Sequence, residues 1–64
     1  MNISIYSRVR YVGRENSHDG LSTGDIGYVI EDYGDGNYEV EFSNTDGTTR
    51  AQAVIQNRDL ELAE

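Results

Sequence analysis

The chain has no cysteine, no tryptophan and no lysine. Without cysteine there is neither a disulfide framework nor a thiolate metal site, so the stapling used by small secreted domains is excluded and a reducing, cytoplasmic setting is expected. Without lysine, all positive charge rests on five arginines, set against twelve acidic residues for a net charge of −7. A field of that sign repels phosphate polyanions, so no direct contact with nucleic acid is expected. Long apolar runs are missing as well. No stretch approaches the length of a bilayer crossing, and Met1 to Ser7 lack a basic region followed by an apolar one, so neither a membrane nor an export route is expected.

What remains is a short, mixed chain of 64 residues, 36% apolar and 27% charged. This suits one globular domain spanning residues 1–64, with residues 1–6 as a loose N-terminal segment. At this length only about 60% of the unfolded surface can be buried, which leaves no room for a deep catalytic cleft. No enzymatic activity is expected.

The middle third reads as strand, turn, strand. Ile26 to Glu31 forms one strand, with Gly27 as a bulge or a point of close approach. Asp35-Gly36 marks a tight turn, with Asn37 beside it as a further residue tolerant of positive φ. Tyr38, Val40 and Phe42 then alternate with Asn37, Glu39 and Glu41, a period of two that buries the first set. Upstream, Arg8 to Val12 alternates so that Val9 and Tyr11 share one face and Arg8 and Arg10 the other. Gly13 to Gly20 is a polar loop returned to the core by Leu21. Downstream, the turn Asn44-Thr45-Asp46-Gly47 leads into a strand over Thr48 to Ile55, whose alanines sit beneath bulkier neighbours. Gln56 to Asp59 makes one short helical turn before a closing strand at Leu60 to Leu62. The fold class expected is all-β: a small barrel of five short strands with one helical turn before the last.

The order of these parts resembles the SH3-like barrels, in particular the small stand-alone SH3-like proteins of bacteria and phages. The residues that carry the likeness are Gly24-Asp25-Ile26-Gly27-Tyr28-Val29, Tyr38-Glu39-Val40-Glu41-Phe42 and Asp59-Leu60-Glu61-Leu62. More distantly, residues 24–30 are similar to the strand-Gly-strand element of KOW-type domains, and length and strand order resemble the ferredoxin-docking barrels of photosystem I. The resemblance implies an SH3-like fold and, through the last of these, an accessory subunit of an electron-transfer complex as one alternative role.

Candidate chemistry is sparse. His18 beside Asp19 lies in a loop without a nucleophile in a matching constellation, and its replacement by alanine is expected to be silent. Asp32, Asp35, Asn37 and Glu39 cluster around the hairpin, but their spacing is not that of a calcium loop. The glycines lack the Lys-Ser/Thr pair of a phosphate loop. No metal and no cofactor is expected. The five tyrosines stand out in a chain with one phenylalanine. Tyr11 and Tyr38 are assigned to the core; Tyr28 and Tyr33 are expected at the surface beside Asp32, Asp35 and Asn37. That set of five is the candidate protein-binding site, its expected partner a basic protein surface. A second reading is an acidic, phage-type inhibitor that presents carboxylates where nucleic-acid phosphates would sit. A monomer is expected, with dimerisation through an exposed edge strand as the alternative.

Overall fold

The computed structural model describes residues 3–63. It is all-β: β1 (Arg8–Tyr11), β2 (Ile26–Asp32), β3 (Asn37–Ser43), β4 (Thr49–Gln56), a 3₁₀ turn (Asn57–Asp59) and β5 (Leu60–Leu62). All pairings are antiparallel, in the order β4-β3-β2-β1-β5. The last strand therefore returns to pair with the first, and the sheet remains open, with β4 and β5 as its edges.

Alternation places the core. Val9, Val29, Val40 and Phe42 are fully buried on the inner face. Two inner rows cross the sheet, Gly27–Phe42–Ala51 and Val29–Val40–Ala53. The small alanines of β4 sit opposite the fully buried Phe42 and Val40 of β3, which leaves those two side chains room to fill the core. Ile3, Leu21, Ile55 and Leu60 add to it, Tyr11 is buried within it, and Tyr38 packs against it partly buried. Burial raises the Tyr11 hydroxyl above its ordinary range, with Asp59 and Asp19 adding to the effect.

Gly27 is a point of close approach, not the bulge. A Cβ there would stand 2.7 Å from the Glu41 carbonyl oxygen and 2.8 Å from the Phe42 ring. The ladder irregularity falls further on, between Val29 and Glu31. The first hairpin also differs from a two-residue turn. Tyr33 to Gly36 form a four-residue loop in which Gly34 and Gly36 hold φ of 79° and 93°, while Asp35 and Asn37 stay out of the left-handed region. Glycine adopts that region without a Cβ clash, so the aspartates are released to cap instead. Gly34 N–H donates to Asp32 Oδ1 at 2.9 Å and Asn37 N–H to Asp35 Oδ1 at 3.1 Å.

Of the segment expected to be loose, residues 1 and 2 lie outside the described residues. The rest is held: Ile3 is buried in the core, and Tyr6 N–H donates to the Val29 carbonyl at 2.6 Å. Leu62 faces the same side as Val9 but sits at the rim of the edge strand, 44% exposed.

The loop from Val12 to Asp25 sends Leu21 into the core. Asn16 and Leu21 exchange two backbone hydrogen bonds at 2.9 Å, making it a small hairpin of its own. Arg50 of β4 ties it down, donating to the Gly20 carbonyl at 2.5 Å and to Asp25 Oδ2 at 2.9 Å, with its guanidinium 5.8 Å from the Phe42 ring centre. Among the described residues no helix is long and apolar enough to cross a membrane.

Candidate functional site

The outer face of the sheet is built from the residues that alternate with the core. Its first row runs Arg8–Tyr28–Glu41–Gln52 across β1 to β4, and its second Glu31–Glu39–Val54 across β2 to β4. The register shift after Val29 brings Glu31, rather than Ile30, opposite Glu39. Two carboxylates thus face each other directly, an arrangement that costs a sheet about 0.2–1 kcal/mol relative to a neutral pair.

Tyr28 and Tyr33 are 48% and 51% exposed, and Val54 is 56% exposed. The Tyr33 hydroxyl donates to Glu39 Oε1 at 2.6 Å, which carries the ring from the hairpin onto the second row. That hydrogen bond, reinforced by the charges of Glu39 and Glu31, raises the Tyr33 hydroxyl above its ordinary range. Glu41, in the first row, accepts from Thr49 Oγ1 at 2.9 Å. The face therefore presents two tyrosine rings and a valine among three glutamates. Such a surface offers aromatic planes and carboxylate acceptors together, the combination that receives a guanidinium by stacking and by charge-assisted hydrogen bonds.

The five residues singled out by sequence do not form one cluster. Tyr28 and Tyr33 share the outer face. Asp32 and Asp35 are turned into the hairpin as caps. Asn37 lines a shallow depression at the far end of that hairpin, together with Asp35, Gly36, Gln56, Asn57 and Arg58. Within it the Asn57 side-chain oxygen is buried without a hydrogen-bond partner. Sequence reasoning assigned neither Val54 nor Glu31 to the site. Val54 and Ile55 are adjacent apolar residues at the end of a strand, and only the register shows that Val54 is the one that alternates outward; Glu31 joins the row through a bulge that no residue type announced.

His18 is exposed and lines an open cleft between the first loop and the 3₁₀ turn, with Tyr11, Arg14, Ser17, Arg58 and Asp59 among its neighbours. The Tyr11 hydroxyl donates to the Arg14 carbonyl and shapes one wall. Among the described residues no group of three or more histidine, aspartate or glutamate side chains is placed to hold a metal ion. Arg10 and Glu61 meet across β1 and β5 at 2.6 Å, so one of the first-strand arginines is engaged in a cross-strand pair.

Fold and surface together define a small all-β domain, an open five-stranded antiparallel sheet with a buried apolar face and an acidic, tyrosine-bearing one. The chain belongs to the family described as Domain of unknown function (DUF4926), whose model matches residues 8–62. That span runs from the first residue of β1 to the last of β5. No curated protein and no solved structure matches the chain.

Proposed function

We propose that this domain is a non-catalytic protein-interaction module of SH3-like architecture, which binds a basic, arginine-bearing protein surface on the outer face of its sheet. The return of β5 to β1 supports the SH3-like reading. The observation that carries the functional one is Glu31 directly opposite Glu39, flanked by the half-exposed rings of Tyr28 and Tyr33. Opposed carboxylates cost stability, whereas a bound guanidinium, with its single positive charge, offsets part of their repulsion, bridges the two and stacks on a ring. Asp35 and Asn37 stand at the hairpin end of this face and serve mainly to shape it.

Titration with an arginine-rich peptide, followed by amide NMR, tests the reading. Shifts are expected to concentrate on Tyr28, Glu31, Tyr33, Glu39 and Val54. Tyr28→Ala is expected to weaken binding about fivefold or more, the scale on which truncating an interfacial aromatic acts. Shifts confined to the first loop or the 3₁₀ turn overturn it. The same carboxylates are what a nucleic-acid mimic would use. That reading gains if capture of a nucleic-acid enzyme collapses with modest salt and is indifferent to both tyrosines.

A further inference from the structure

We propose that the free edge of β4 is a homodimer interface, at which two copies of this chain pair β4 antiparallel to β4 about a two-fold axis and join their sheets into one. The open sheet has two edges of very different character. β5 is three residues long and carries Glu61, which is engaged by Arg10. β4 is eight residues long, the longest strand among the described residues. Its ladder within the chain runs to β3, and among the described residues the opposite side of the strand faces no other strand.

Edge strands are ordinarily guarded by proline, by lysine or other outward charge, by a bulge, by shortness or by a covering loop. Over Ala51 to Gln56 β4 has none of the first four, and the first loop, whose Asn16, Asp19 and Leu21 line a cavity with Val54, Ile55 and Gln56, gives the strand no backbone hydrogen bond among the described residues. Its ladder with β3 is regular there, the shift lying at Ser43 and Thr49, and its one charge, Arg50, is turned aside to Gly20 and Asp25. The charge distribution names the occupant. β2, β3 and β5 all carry acids, whereas β4 carries none. In a chain of net charge −7, β4 is the edge strand that brings no carboxylate of its own to a second copy.

Side-chain alternation restricts the register. Residues that face each other across a new ladder must lie on the same side of the joined sheet, so the two-fold axis has to pass through a residue and not between two. Gln52 and Val54 are exposed; Ala53 and Ile55 are buried. An axis through Ala53 engages the regular stretch most fully. It sets Gln52 against Val54 of the second copy, Val54 against Gln52, and Ala51 against Ile55. Both inner faces then remain on one side, and the outer faces become one continuous surface, as an isologous contact requires.

Sedimentation equilibrium of the full chain over a wide concentration range tests this. Mass is expected to double with concentration, and association to strengthen with added salt, because the two copies repel at long range. The charged pairs Gln52→Lys with Val54→Lys, and Gln52→Glu with Val54→Glu, are each expected to weaken self-association about tenfold by opposing like charges at two contacts. An equimolar mixture of the two variants is expected to restore the dimer. A monomer at every concentration and salt overturns the proposal. So does a dimer that both variants leave intact, or a mixture no tighter than its components. Amide shifts of the natural chain on dilution are expected in β4, and shifts confined elsewhere overturn the register independently of any substitution.

Discussion

The two faces of this sheet are made by the same strands, residue by alternate residue, yet they answer to different constraints. On the inner face every position has a packing reason: Phe42 sits under Ala51, Val40 under Ala53, and Gly27 is small because backbone and ring stand where its Cβ would be. The outer face has no comparable account. Arg8, Tyr28, Glu41 and Gln52 make a balanced row, but Glu31 and Glu39 oppose each other in the next, and two tyrosines and a valine lie half in water beside them. A domain of this size holds little stability in reserve. Setting Glu31 opposite Glu39 gives some of it up.

The largest way to break the contrast is to truncate matching aromatics on opposite faces. Phe42→Ala removes a fully buried ring and is expected to cost about 3–5 kcal/mol, enough to unfold much of a marginal domain at room temperature. Tyr28→Ala, on the adjacent strand and opposite face, is expected to change stability by less than about 1 kcal/mol. Urea denaturation of both variants measures the difference. A Tyr28→Ala loss as large as that of Phe42→Ala would make the outer face part of the fold and remove the reason to look for a partner there.

How much of this was legible in the sequence follows the same division. The strands, the burial of Val9, Tyr11, Val40 and Phe42, and the helical turn before the last strand were all readable, because period-two alternation and turn residues act locally. The long-range facts were not. Nothing local signals that the ladder shifts between Val29 and Glu31, so the pairing of Glu31 with Glu39 was hidden, and Asp32 and Asp35 looked like surface acids although both cap the hairpin. Gly34 and Gly36, spaced by one residue, were the available sign that glycines and not Asp35 would take the left-handed positions.

A smaller effect sharpens the comparison. Glu31→Gln removes one of the two opposed carboxylates while keeping the side chain's shape. It is expected to stabilise the domain by about 0.2–1 kcal/mol, and the same substitution is expected to weaken binding of an arginine-rich peptide. Thermal unfolding and peptide titration on the one variant decide the matter. Opposite signs in the two measurements are what a functional acid predicts. A variant that loses stability instead would show that Glu31 has a folding role that its register does not reveal.

The smallest effect concerns a single proton. The hydrogen bond from Tyr33 to Glu39 favours the neutral phenol, because a phenolate would face a carboxylate it now donates to. A tyrosine whose folded pKa lies above its unfolded value contributes stability that is fully present below the unfolded value, near 10, and is lost as pH rises through the folded one. Glu39→Gln removes the charge but leaves an oxygen to accept, so the Tyr33 titration is expected to move down toward its ordinary range while the ring stays in place. Carbon-detected NMR of the tyrosine ring reads that midpoint directly. If the midpoint does not move, Glu39 does not hold Tyr33 on the second row. The acidic face would then have to be redrawn around Tyr28 alone.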